Sequence, residues 1–438
     1  MRLDNYIFIV IYYEKYIDYK DYTMNNVIIS QNKHWESSYE NLYNRDVFQK
    51  LLTNLQTKHI QVLQGIRRSG KSSLFKLLIN HLSQTIDPYE ILYVNLDDPF
   101  FTKYSNDPTS FYKILQTAKK LTQKEIKYLF LDEVQAIASW EKYVKSVYDS
   151  GEFEKIFITG SNSSLLNGAF ATLLTGRYIS TKVYPLSFHE ILHINGITSF
   201  LELNKQLPKV LKLVDEMMLY GSFAELQGLQ DDLKREVLSS YYDTILLKDC
   251  VSNNQIRDIK GFKELSFYAL SNLTSLYSYA SLAKGVRLND KSVKEYIQAL
   301  EDCYLFSELK LFSYSLKEQI NNKKKLYLCD NGFMNLGYSF SSNYGKLLEN
   351  LVFSELQKRG FEIYFYNKEN ECDFIVKKED KTIAIQVCYE LNDQNKTREL
   401  KGIKKLPFDV QEKYIITYNQ KNRIDDVKIV SFWEYFYT

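Results

Sequence analysis

The chain has 438 residues, 45% of them hydrophobic, with 56 Lys and Arg against 54 Asp and Glu and a formal net charge of +2. That length is too great for one compact core and predicts about three domains. The near-balance of charge excludes a global attraction for nucleic acid and leaves only local patches to provide one. Five scattered cysteines form no Cys-x-x-Cys pair, and their odd number argues against a disulfide framework; a reducing cytoplasm suits them.

In chain order, residues 7–13 are apolar but too short to span a bilayer. Asp4, Glu14 and Asp18 around them do not suit a signal peptide, so no membrane role is expected. Residues 1–23 read as an extension ahead of Met24.

The apolar run 60–63 leads into Gly65-Ile66-Arg67-Arg68-Ser69-Gly70-Lys71-Ser72, and Ser73 onward has helical apolar spacing. This strand–loop–helix setting gives a P-loop its meaning. Backbone N–H groups from Gly65 through Ser69 and Gly70 to Ser73 can curl around a polyphosphate at the positive end of the helix. Lys71 is placed for the β- and γ-phosphates and Ser72 for Mg²⁺. Arg67 and Arg68 either add charge beside the phosphates or face solvent. The expected ligand is a nucleoside triphosphate.

Residues 91–96 read as a buried strand, and so do 128–131, which end in Asp132-Glu133. Asp132 suits a Mg²⁺ role and Glu133 the polarisation of an attacking water; paired acids can also cap a following helix. A third apolar strand, 155–158, ends in Thr159-Gly160-Ser161-Asn162-Ser163-Ser164. Ser161 and Asn162 are candidates to orient the water or sense the γ-phosphate, with a plain polar turn as the alternative. Arg177 precedes the strand-like 178–184. It is either an arginine finger, for its own site or a neighbour's, or a surface ion-pair partner. Oligomeric state is open for that reason.

The sequences Gly-Ile-Arg-Arg-Ser-Gly-Lys-Ser, Leu-Asp-Glu-Val-Gln (131–135), Thr-Gly-Ser-Asn-Ser-Ser-Leu-Leu (159–166) and Gly-Arg-Tyr…Tyr-Pro-Leu-Ser-Phe-His-Glu (176–190) occur in order. Together they resemble prokaryotic AAA+ ATPases of the group called simply ATP-binding proteins, whose C-terminal domain of unknown function is restriction-endonuclease-like. The resemblance implies an α/β P-loop NTPase core, a parallel sheet with helices on both faces, over residues 24–190. It also implies ATP as the nucleotide, with Mg²⁺. The alternation of strand and helix agrees, because parallel strands need crossovers.

Residues 191–260 show helical spacing and read as a lid without a catalytic signature of its own. Within 261–330, helices over 279–285 and 292–300 flank a turn at Leu288-Asn289-Asp290. Strands over 305–311 and 326–328 then bracket a Lys-rich tip. That order is a winged-helix pattern, which the resembled group shares. Residues 279–325 can place a helix in a DNA major groove, with Lys291, Lys294, Lys323, Lys324 and Lys325 on phosphates. Glu295, Glu301 and Asp302 equally suit a protein-docking module.

Residues 331–438 resemble the restriction-endonuclease fold, an amphipathic helix followed by strands over 362–366, 372–376, 382–389 and 414–418. The resemblance would place metal ligands at Glu349 and Asp373 and a Glu-x-Lys at Gln386-Val387-Cys388. A neutral amide and a thiol there supply neither the carboxylate nor the cation that cleavage needs. Glu390 on the same strand face, or a migrated Lys377 or Lys381, could compensate. The primary reading is an ATP-hydrolysing protein that couples nucleotide state to its C-terminal modules, with DNA as one candidate partner. The alternatives are a slow nucleotide switch binding a protein partner and an ATP-dependent nuclease.

Overall fold

The apolar runs flanking the glycine loop become β1 (Ile60–Gln64), β2 (Ile91–Asn95), β3 (Tyr128–Asp132), β4 (Lys155–Gly160) and β5 (Tyr178–Lys182). In the computed structural model, which describes residues 23–163, 169–337 and 343–437, they form one sheet in the order β2-β3-β4-β1-β5. The β2–β3, β3–β4 and β1–β5 pairs are parallel. Strands buried on both faces read as continuous apolar runs, as these do. The extension expected over residues 1–23 lies outside the described residues except for Thr23, as does Ser164 of the polar cluster. The chain divides into two compact units, Met1–Glu40 with Leu78–Ile158, and Asn41–Leu77 with Thr159–Thr438.

The first unit carries β2, β3 and most of β4. Phe130 and Phe157 stack between neighbouring strands at 4.1 Å, and Phe111 and Tyr143 stack between the helices Ser110–Thr122 and Trp140–Ser150 at 4.6 Å. The free edge of β2 is covered by side chains from 31–35, not by another strand. Gln31 exchanges hydrogen bonds with Asn95 N (2.8 Å) and O (3.2 Å), and Asn32 does the same with Tyr93 N (2.7 Å) and O (2.9 Å). The Ile91 carbonyl meets His34 Nε2 and accepts from Trp35 Nε1. Ile91, Tyr93 and Asn95 are alternate residues, the ones whose polar backbone groups point outward from an edge strand.

In the second unit, the helix Lys71–Leu82 begins at the end of the glycine loop. Helices Phe188–Ile194, Phe200–Lys205, Leu207–Tyr220 and Asp231–Thr244 follow, the last running into a π-helical turn at Ile245–Val251. Helices Ile259–Ser271, Tyr279–Val286 and Asp290–Asp302 come next. The strands β6 (Leu276–Tyr277), β7 (Phe306–Leu309) and β8 (Lys324–Leu328) form a three-stranded antiparallel sheet, one strand more than the expected wing. The wing tip differs from the sequence expectation in a way that matters. β8 starts at Lys324, so Lys324 and Lys325 are strand residues whose side chains point to opposite, covered faces. Both are buried. Lys324 Nζ donates to Ile320 O and Asn322 O, and lies 4.8 Å from the Tyr279 ring centre. These two lysines do not present themselves to DNA phosphates. Lys291 is exposed but lies 3.9 Å from Glu295.

A buried acid sits inside the same module. Glu301 accepts a hydrogen bond from Glu308 N (2.7 Å), while Glu308 accepts from Tyr277 and Tyr279. Burial, with Glu308 and Asp302 nearby, pushes the Glu301 carboxyl up to about 7 against that backbone donor and the charge of Lys310. The folded state therefore binds the proton more tightly than the unfolded chain, and stability falls as pH rises from about 4.5 to about 7. Glu301→Gln keeps the acceptor and removes the charge. It is expected to stabilise the protein by about 3 kcal/mol at pH 8 and by less than about 1 kcal/mol at pH 5, read from melting temperatures at the two pH values.

The C-terminal sheet runs β13-β14-β12-β11-β10-β9, formed by β9 (Glu362–Asn367), β10 (Glu371–Lys378), β11 (Lys381–Val387), β12 (Glu412–Thr417), β13 (Asn422–Ile424) and β14 (Val427–Ser431). β9–β10–β11 is an antiparallel meander, β11–β12–β14 is parallel, and the helix Tyr344–Lys358 packs through Leu348, Val352 and Leu356 into the core. β11 stops at Val387, so Glu390 lies beyond the strand and does not share a face with Gln386. All five cysteines are free and buried. Among the described residues, no helix is long and apolar enough to cross a membrane.

Candidate nucleotide site

Two glycines shape the loop. Gly65 has φ +154°, and a Cβ there would lie 2.0 Å from Val183 O, where β5 leaves the sheet. Gly70 has φ +97°, and its Cβ would come within 2.9 Å of Arg45 Nη1. No other residue type fits either position without moving backbone or this guanidinium. Arg45, which carries no motif, holds the loop from outside. It donates to Ser69 O (3.0 Å) and Tyr184 O (2.7 Å) and pairs with Glu190 (2.9 Å), itself fixed in a capping box with Ser187. Lys71 is buried, its ammonium donating to Gly65 O (3.0 Å) and Ile66 O (3.2 Å). Ser72 is half-buried and Ser73 exposed. Ser69 Oγ is buried without a hydrogen-bond partner among the described residues. A glycine cradle, a lysine inside it and an unsatisfied hydroxyl suit a polyphosphate.

The two loop arginines behave differently. Arg68, in the left-handed region (φ 69°), is exposed, pairs with Glu225 and lies over the Tyr241 ring. Arg67 faces inward and grips Asp249 with both ends of its fork, Nε to Oδ2 and Nη2 to Oδ1, each at 2.8 Å. Asp249 is 2% exposed and lies in the π-helical turn. Ser161 Oγ donates to Asp249 Oδ1 (3.1 Å), and Asn162 Nδ2 donates to Asp249 O (3.4 Å). Asn162 also reaches Cys303 Sγ, and Ser163 Oγ donates to Asp302 Oδ1 (2.8 Å). The tip of β4 and the glycine loop therefore hold the same carboxylate. Sequence reasoning missed Asp249, because it sits in an ordinary helical run. The extra residue of a π turn, frequent at functional sites, leaves no trace in apolar spacing.

In the first unit, Asp132 ends β3 and is 1% exposed, and the Tyr93 hydroxyl donates to its Oδ2 (2.7 Å). Burial and this carboxylate push the Tyr93 hydroxyl far above the ordinary tyrosine range, so it remains a donor. Glu133 adopts φ 53°, a rare conformation for a side chain of this size, and Gln135 Nε2 donates to its Oε2 (2.5 Å).

Arg177 is at the far end of β1 from the loop. Ile60 N donates to its carbonyl (2.8 Å), and the strand then runs four residues, about 13 Å, before the loop begins. That placement sets the Arg177 backbone apart from the glycine loop of its own chain. In the C-terminal sheet, the structure does bring Glu349, Asp373 and Gln386 together, around one pocket of about 710 Å³. The lysine there is neither Lys377 nor Lys381 but Lys325 of β8, within 3.6 Å of both Glu349 and Asp373.

Comparison with known proteins places these features in a lineage. Residues 57–192 match the model for an AAA domain, residues 211–342 a domain of unknown function (DUF8612) and residues 344–435 another (DUF4143). Similar solved structures include the Aeropyrum pernix ORC1 protein in complex with DNA, at TM-score 0.30 and 11% identity over 69% of this chain and 94% of that one. Another is AMPPCP-bound DnaA from Aquifex aeolicus, at TM-score 0.27 and 15% identity over 64% and 91%. Likenesses at these scores carry no argument about function. An uncharacterized protein of Haemophilus influenzae is 31% identical over 87% of this chain and 95% of its own. The uncharacterized protein MJ1544 of Methanocaldococcus jannaschii is 36% identical over 90% of each chain. The chain belongs to the same family as these two proteins, and it is built from an AAA domain followed by two domains of unknown function.

Proposed function

We propose that this protein binds and hydrolyses ATP at the glycine loop and passes the state of that site to its C-terminal modules through Asp249. The carrying observation is the junction itself. A buried carboxylate in the segment after the AAA domain is held by a loop arginine and by Ser161 at the tip of β4. Any shift of the loop or of the strand tip alters the partners of Asp249, and helix Asp290–Asp302 is tied to the same tip through Ser163.

In this reading Lys71 would neutralise the β- and γ-phosphates and Ser72 would hold Mg²⁺, which would supply positive charge for the transferring phosphoryl group; Asp132, in the other unit, keeps its role as a candidate Mg²⁺ ligand. Glu133 orients and polarises the attacking water. Arg177 would serve a neighbouring copy in an assembly. DNA enters as a candidate partner of residues 279–325 through Lys291, Lys294 and Lys323. The decisive experiment is steady-state ATP turnover with and without duplex DNA, alongside Glu133→Gln. We expect the variant to bind ATP like the wild type and to turn over about 100-fold more slowly. A wild-type rate no higher than that of Glu133→Gln would discard hydrolysis and favour a slow switch. A rate indifferent to DNA would remove DNA as the partner.

A further inference from the structure

The restriction-endonuclease-like resemblance implies a divalent metal at Glu349, Asp373 and Gln386, and the side chains present do not fit one. Glu349 Oε1 accepts from the Tyr327 hydroxyl (2.7 Å). Asp373 Oδ2 accepts from Val387 N (3.0 Å). Gln386 is occupied on both sides, its oxygen accepting from Asp373 N and its amide donating to Glu399 Oε2. Among the described residues, no three His, Cys, Asp or Glu side chains form a group that could hold a metal.

An ammonium stands among the carboxylates instead. Lys325 Nζ lies 3.6 Å from Glu349 Oε1, 3.3 Å from Glu371 Oε1 and 3.4 Å from Asp373 Oδ1, with its side chain 4% exposed. It comes from β8, in the three-stranded sheet, and not from the domain whose acids it meets. We propose that Lys325 is the resident cation of this pocket, replacing a divalent ion and binding the three-stranded sheet to the C-terminal sheet.

Two further observations converge on this assignment. Leu311 and Phe365 form a β-bridge beside the same joint, as expected if the two sheets are fixed to each other there. Four cationic and five carboxylate side chains line the pocket, so it offers no net attraction to a phosphodiester backbone.

The test uses the full chain without nucleotide and Mn²⁺ alone as the probe, followed by electron paramagnetic resonance. Asp373→Asn identifies which binding belongs to this pocket. Wild type and Asp373→Asn are expected to bind Mn²⁺ identically. Lys325→Met leaves three carboxylates without their cation and is expected to gain about 100-fold in Mn²⁺ affinity, a gain lost in Lys325→Met/Asp373→Asn. Wild-type Mn²⁺ binding that Asp373→Asn removes would overturn the assignment, as would a folded Lys325→Met that gains none. If Lys325→Met does not fold, the comparison of wild type with Asp373→Asn decides alone. The ATPase reading stands or falls separately, since none of these variants touches the glycine loop.

Discussion

Lys71→Ala is expected to lose ATP binding by roughly 100-fold or more, about 3 kcal/mol, in calorimetric titration. The ammonium sits inside the loop, held by Gly65 O and Ile66 O, and is the cation closest to where a polyphosphate would be wrapped. Charge-assisted hydrogen bonds to phosphate are among the strongest a side chain makes. Removing the lysine also takes a donor from two loop carbonyls, so a modest drop in melting temperature should accompany the loss. Glu133→Gln supplies the contrast, with binding kept and turnover lost. If Lys71→Ala binds ATP with wild-type affinity while folded, the loop is not the nucleotide site.

Asp249→Asn should separate binding from communication. The amide cannot accept from both ends of the Arg67 fork, so the variant leaves a largely buried guanidinium without its counter-charge. Breaking a buried pair costs about 3–5 kcal/mol, and the partial exposure of Arg67 brings the expected loss of stability to about 2–3. Arg67 then adds uncompensated positive charge to the loop. ATP affinity is expected to rise about tenfold, roughly 1.4 kcal/mol, even as the fold weakens. Protection of residues 259–328 from hydrogen exchange on adding a non-hydrolysable ATP analogue, present in the wild type, should disappear. Weaker ATP binding together with intact nucleotide-dependent protection would remove Asp249 from the coupling route.

The parts of the site visible in the sequence are those whose chemistry is local. The glycine loop, the acids at the end of β3 and the polar tip of β4 each follow an apolar strand by one or two residues, so a window of ten residues contains the whole signal. Asp249 and Arg45 carry no such signal, because each acts on the loop from a distant segment. Lys325 shows a different limit. Three consecutive lysines read as a solvated tip, but a strand beginning two residues earlier sends Lys324 and Lys325 to opposite faces, both covered. The helix-to-strand order of the C-terminal domain was legible, whereas the end of β11 at Val387 was not, because Cys388 and Tyr389 extend the apolar run without extending the ladder.

The side-chain seal on β2 bears on how copies of this chain could assemble. Amide and ring groups from 31–35 occupy the outward hydrogen-bonding positions of Ile91, Tyr93 and Asn95, the positions a strand from a second molecule would need. Growth of the sheet by strand addition is closed at this edge, and with it the route by which α/β sheets fuse into fibres. A ring of subunits, if one forms, has to be joined at surfaces other than this edge.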